Sequence, residues 1–294
     1  MPWNPRPPSI FHDESWSTPW RSSEFPPEEA LFERRNRQHA KPEWNFVSHF
    51  LNYQSSAPGG WPWGWAIYRT SYTNTSDEDW ARAIEKLDQA CLADLEFYED
   101  MWSKYGCTHI ERVREGYRNV IFEDSTLEGA SEAVIRCRHT QWVEDHGLIV
   151  CSAVPRLNYP LLLDDRCVRS ILASAEPKRP ITLQSEPVGM VGYVNVLDGD
   201  FVLEDREEEE GEYYLGLARI HLDCLFRFAV YCENLMTEQD WGDWGMDNPD
   251  DVLYVDGYSS VIESKQMFLS TQDRDIERTA NITELEYKEN KMLV

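Results

Sequence analysis

What the chain lacks sets the first limits. No window approaches the roughly 18 uninterrupted apolar residues of a membrane-spanning helix. The opening residues, MPWNPRPPSIFHDESW, lack the charged-then-apolar order of a secretory leader. The expectation is an intracellular protein, cytoplasmic or nuclear. Cationic residues are scarce, 28 Lys and Arg against 53 Asp and Glu, and the formal charge of -25 repels phosphate backbones and anionic headgroups. Nucleic acid and membrane surfaces are therefore not expected as partners. No GxSxG elbow, Walker loop or GxGxxG fingerprint occurs, so nucleotide-dependent chemistry lacks its usual phosphate cradle. The 7 histidines offer no HExxH and no spacing paired with cysteine; Cys137 and His139 come nearest to a ligand pair, and neither metal nor cofactor is expected. The 7 cysteines are odd in number and scattered singly, which suits reduced thiols better than a disulfide framework.

Large flat side chains are abundant instead. Aromatics make up 13% of the chain and include 12 tryptophans, enough to build a core around rings rather than aliphatic layers. The stretch PGGWPWGWAIYRTSY, Pro58 to Tyr72, concentrates them. In a strand, alternate residues share a face, so Trp61, Trp63, Trp65 and Ile67 line one side and Gly64, Ala66 and Tyr68 the other. Both sides are then apolar, as in a central strand. Two readings follow. The rings form a platform for a ligand, with Tyr68 or Arg69 supplying a polar contact, or Trp65 enters the core while Trp61 and Trp63 cap its edge and stay accessible. The second is preferred.

Composition divides the chain into a Pro- and Trp-containing arm at 1–58, one domain at 59–262 and a polar tail at 263–294. Within the domain, Trp65 to Tyr72 reads as a first strand and YRNVIFED as a second. Between them Ser76 is a plausible N-cap, followed by Asp77, Glu78 and Asp79 in the first turn, and Trp80, Ile84, Leu87, Cys91, Leu95, Tyr98 and Trp102 recur at helical spacing. A helix capped by Ser131, with Val134, Ile135 and Trp142 inward, runs to Gly147. LIVCSAVP reads as a third strand, Asp164 or Asp165 starts a short helix, and VGMVGYVNVLDGDFVLE supplies a fourth strand, with room for a fifth. The like-charge run from Glu204 to Glu212 is a solvated loop. YYLGLARIHLDCLFRFAVYCENLM carries Tyr214, Leu217, His221, Leu225, Phe228 and Cys232 on one stripe and reads as a long helix. Residues 237–262 read as irregular, apart from a short VLYV run. The predicted fold is α+β, one domain with a mixed or antiparallel sheet covered by helices.

Arg136, beside Val134 and Ile135, is expected to reach Glu123 or Asp124 and tie helix to strand, with recognition of a substrate carboxylate as the alternative. His221 reads as a hydrogen-bonded core residue. The candidate pocket or partner surface thus comprises Trp61, Trp63, Trp65, Tyr68, Arg69, Arg136 and His221, with no catalytic residue assigned.

Four segments, GWAIYRTSY, LEGASEAVIRCRHTQWV, DDRCVRSIL and GYVNVLDGDF, together resemble a large family of uncharacterised proteins of filamentous fungi, chiefly ascomycetes. The resemblance covers about residues 61 to 240. It implies a cytosolic or nuclear protein and brings no activity onto particular residues. Two functions stand. One is a non-enzymatic interaction or regulatory module meeting a protein partner through the acidic loop or the aromatic arm. The other is an enzyme of fungal secondary metabolism, independent of nucleotides, with a small apolar or aromatic ligand in a pocket lined by Trp63, Trp65 and Tyr68.

Overall fold

A computed structural model describes residues 62–103, 113–114, 116–148, 154–174, 192–199, 201, 216–231, 252–254 and 260–262. In it the first alternating stretch becomes strand β1 (Ala66–Arg69), buried along its whole length. Its neighbours are β2 (Val120–Phe122) and β3 (Leu161–Leu163), both parallel to it, so that Tyr68 lies opposite Phe122 on one side and Leu162 on the other. The chain leaves β1 through α1 (Asp77–Ser103) to reach β2. It then returns past β1 to β3 by way of α2 (Glu132–Asp145) and the single-turn α3 (Pro155–Asn158). Crossovers that run in opposite directions but share one handedness place their helices on opposite faces of a sheet. Trp65 and Ile67 accordingly join a cluster with Trp80, Ile84 and Leu87 of α1, while Ala66 and Tyr68 join one with Ile135, Trp142 and Val143 of α2. Apolar residues on both faces of β1 are the direct consequence.

Beyond β3 the sheet turns antiparallel into β4 (Tyr193–Leu197) and again into β5 (Leu217–His221). Next come β6 (Val252–Tyr254), parallel to β5, and β7 (Ser260–Ile262), antiparallel to β6. The result is a seven-stranded mixed sheet in the order β2-β1-β3-β4-β5-β6-β7, an α+β fold as predicted. Helices α4 (Asp165–Ala173) and α5 (Leu225–Tyr231) pack on the α1 side, contributing Val168, Ile171, Phe226 and Phe228 to its core.

Local chemistry sets the helix starts. Ser76 Oγ accepts from the amide of Asp79 at 3.1 Å and donates to Asp79 Oδ2 at 2.9 Å, closing the first turn of α1. Asp164 caps α4 by accepting from the amide of Cys167 at 2.7 Å. Ser131 holds the extended backbone of an N-cap before α2, and Gly147, at φ 65°, follows its last turn.

The structure corrects several expectations. The run LARIHLDCLFRFAVY is not one helix: Leu217–His221 is β5, Leu222–Cys224 a 3-10 turn, and only Leu225–Tyr231 is α-helical. The predicted strand LIVCSAVP lies mostly outside the described residues, and its last residue, Pro155, begins α3. The strand that pairs with β1 comes later, at Leu161–Leu163. Ser260–Ile262 is a strand within the segment expected to be irregular. Val134, expected inward, is 49% exposed. The N-terminal arm, the Glu204–Glu212 loop and the polar tail lie outside the described residues.

Candidate functional site

With the strand order β2-β1-β3, the chain diverges from β1 in both directions, and the carboxyl ends of β1 and β3 meet at that divergence. In open sheets this is where ligands characteristically bind. The side chains gathered there come from the loops that follow β1, β2 and β3 and from the facing ends of β4 and β5.

Arg69, the last residue of β1, dominates the β1 side. Its Nε donates to the carbonyl of Ser71 at 3.0 Å, Nη2 to the carbonyl of Thr75 at 3.0 Å and Nη1 to Asp77 Oδ1 at 2.8 Å. The guanidinium lies 4.4 Å from the ring centre of Tyr72 and 5.3 Å from that of Trp80. Within the same loop, the hydroxyls of Ser71 and Thr75 stand 2.9 Å apart. From the β2 side, Glu128 accepts from the amides of Tyr72 and Thr73, and Glu123 accepts from the indole of Trp80. Asp124 accepts from Thr126 and pairs with Arg138 at 2.8 Å; the hydrogen bonds from Thr126, with Arg138 adding to them, hold its carboxyl below the usual range. Each of these groups is spent on bracing the loop.

On the β3 side, Asp164 Oδ2 accepts from Asn195 Nδ2 at 3.4 Å, and Arg219 Nε donates to Asn195 Oδ1 at 3.4 Å. Arg219 also lies 5.3 Å from the ring centre of Tyr193. Burial pushes the Tyr193 phenol well up, and burial does the same to the thiol of Cys167, which is therefore a poor nucleophile. Among the described residues here, none combines an activated nucleophile with a base. Among the described residues no group of three His, Cys, Asp or Glu is placed to hold a metal ion.

The predicted site residues do not converge. Trp63, Trp65 and Tyr68 are fully buried, which corrects the expectation that Trp63 stays accessible. Trp63 packs on Tyr117 and Phe226 and donates from Nε1 to the carbonyl of Val113 at 2.6 Å. Trp65 stacks on Phe228 at 5.9 Å, and Tyr68 on Phe122 at 4.1 Å from the other face of β1. Trp65 thus enters the core as preferred, and the three rings that the enzyme alternative placed in one pocket fill two separate cores. Trp61 lies outside the described residues. Arg136 does not reach Glu123 or Asp124; it donates to the carbonyls of Asp198 at 2.9 Å and Gly216 at 2.7 Å, tying α2 to the β4 and β5 ends, with Phe201 under its guanidinium. It is Arg138 that takes Asp124. His221 sits at the end of β5, where Nδ1 accepts from the amide of Asp223 at 3.1 Å, and burial first, then the charge of Arg227, pulls its imidazole down to about 3.

Three buried polar groups escaped the sequence reading. His139 Nδ1 meets the Tyr68 hydroxyl at 3.2 Å and Nε2 the Leu157 carbonyl at 3.1 Å, while Cys137 on the same helix is exposed, so the two do not form a ligand pair. Asp88 accepts from Tyr117 at 3.0 Å and from Asn119 at 2.6 Å. Arg156 is almost wholly buried on α3. Its signal was available: it is the lone charge in VPRLNYPLLL. Comparison with family models, curated proteins and solved structures finds no match for the chain.

Proposed function

We propose that the protein is a non-enzymatic interaction module, cytoplasmic or nuclear, that engages a basic protein partner through its acidic surface. One observation carries this reading: the side chains that a substrate pocket would have used are consumed internally. Trp63, Trp65 and Tyr68 pack within cores, and Arg69 is held by its own loop. The exposed flank of α1 presents Asp77, Glu78, Glu85 and Glu96, with Arg82 among them. The sequence adds Glu204 to Glu212, and the net charge of -25 extends the field over which a cationic surface is steered.

The test is affinity capture of the full chain at roughly 0.05 and 0.5 M salt, beside a variant with Glu207, Glu208, Glu209 and Glu210 all changed to Gln. The expected result is a basic protein retained at low salt and lost both at high salt and by the variant. Nothing above background in either salt, or equal retention by the variant, rejects the proposal. A small apolar molecule that stabilises the chain and is turned over would establish the enzyme reading in its place.

A further inference from the structure

Arg156 is a charge without a counter-charge. It is 1% exposed, its Nη2 donates to the carbonyl of Arg118 at 2.7 Å, and its Nε and Nη1, both buried, meet no acceptor. The charge that acts on it among the described residues, that of Arg118, has the same sign. Arg118 is exposed, and its guanidinium donates from Nη1 to the carbonyl of Tyr117 at 2.6 Å. Among the described residues the ion pairs are made by Arg69, Arg82, Arg138, Arg169 and Arg227, and no carboxylate pairs with either of these two arginines. Burial, with the charge of Arg118 adding to it, pulls the Arg156 guanidinium down to about 9.

Such a group is costly to keep: an unpaired buried cation is worse than an apolar side chain of the same volume. The backbone around it is fixed. The amide of Arg118 donates to the carbonyl of Trp63 at 2.7 Å, and a Cβ on Gly64, at φ 145°, would stand 2.2 Å from the Arg118 carbonyl oxygen. That carbonyl takes Nη2 and leaves Nε and Nη1 without an acceptor. Planar guanidinium donors match the oxygens of phosphate and carboxylate groups, for which Arg is the usual partner.

We infer that Arg156, with Arg118 beside it, forms a binding site for an oxyanion, a phosphate or a carboxylate group, that supplies the acceptors the buried guanidinium lacks. The site lies at the amino end of β1, away from the loops that brace its carboxyl end, and is independent of the partner reading above.

The experiment uses the full chain in chloride buffer, with ionic strength held constant while inorganic phosphate or acetate replaces chloride, and reads Tm. Wild type is expected to gain Tm progressively with one or both oxyanions. A response to phosphate alone identifies a phosphate site, and a response to acetate alone a carboxylate site. Because such salts also raise Tm nonspecifically by exclusion from protein surfaces, the variants decide. Arg118→Gln is expected to weaken the apparent affinity about tenfold, the loss of one charge-assisted contact. Arg156→Met is expected to melt higher than wild type in chloride and to lose the specific response. If Arg156→Met does not fold, Arg118→Gln decides alone. Equal responses from wild type and Arg118→Gln, or no response from wild type to either oxyanion, overturn the proposal.

Discussion

Arg69 and Asp77 form one ion pair, yet its two ends have unequal weight. The Arg69 side chain is 4% exposed and the Asp77 side chain 93% exposed. Removing Asp77 leaves a solvated contact unmade, an effect of about 0 to 1 kcal/mol by the behaviour of surface pairs. Removing Arg69 also strips the carbonyls of the buried Ser71 and Thr75 of their donor, at about 2 to 4 kcal/mol for two buried acceptors left unpaired. Urea denaturation is expected to show Arg69→Met much less stable than wild type and Asp77→Asn close to it. Equal losses would mean that the ion pair, and not the carbonyl clamp, holds the loop. Elsewhere at this scale the sequence was legible where a side chain acts on its own neighbours, as at the helix caps Ser76 and Asp164. It was not legible at Trp63, whose burial depends on Tyr117 and Phe226, residues distant in the chain.

Elements are joined here by buried titratable groups. Arg227 of α5 pairs with Asp94 of α1 at 2.9 Å, and its amide donates to the same carboxylate at 3.0 Å. Burial nevertheless pushes Asp94 up to about 6, against the pull of Arg227, and burial raises Asp223 to about 6 as well. His139, which links α2 to β1 and α3, is lowered by burial to about 4. His139 and His221 stay neutral in the fold and take a proton once released, so their contribution to stability is present above pH 6.5 and is lost as the pH falls toward about 4 for His139 and about 3 for His221. The two aspartates act oppositely between about pH 4 and 6, holding protons that the unfolded chain has given up, so their contribution falls as the pH rises through that window. Among the described groups with shifted ionisation, the histidines raise stability between pH 6 and 7, and the aspartates, still partly protonated there, oppose them. Replacing His139 with Gln is expected to flatten the rise of unfolding free energy over that interval, which denaturation at a series of pH values measures; an unchanged slope would show that His139 does not contribute. The same scale explains the misread element. LARIHLDCLFRFAVY satisfies a helical stripe, and what makes its first part a strand is pairing with β4 from Tyr193↔His221 to Leu197↔Leu217, information held in another segment. β3 is three leucines between Pro160 and Asp164, too short to show any period.

For the whole molecule, the excess of negative charge works against the compact state, since folding draws like charges together. Sodium chloride raised from roughly 0.01 to 0.15 M shortens the screening length several-fold and is expected to raise Tm; a Tm that stays constant or falls would show that the charges are already locally compensated. The order of strand-like and helical stretches also suited a doubly wound α/β sheet; the α+β class was legible because the strands are short and at least one alternates. The order of the strands could not be read from it, because handedness and pairing fix that order only once the helices choose their faces.

That order also governs events during synthesis. Strand β1, flanked by β2 and β3, is made first among the described strands, while β3 is made after β2, and the bond from Thr70 to Leu163 spans 93 residues. Until Leu163 has left the ribosome, one edge of β1 has no native partner, and Trp65 and Ile67 wait beside it for the rest of their core. A nascent chain of this design carries a strand that is buried on both faces in the finished fold half-paired through much of translation, and is exposed for that interval to association with other chains.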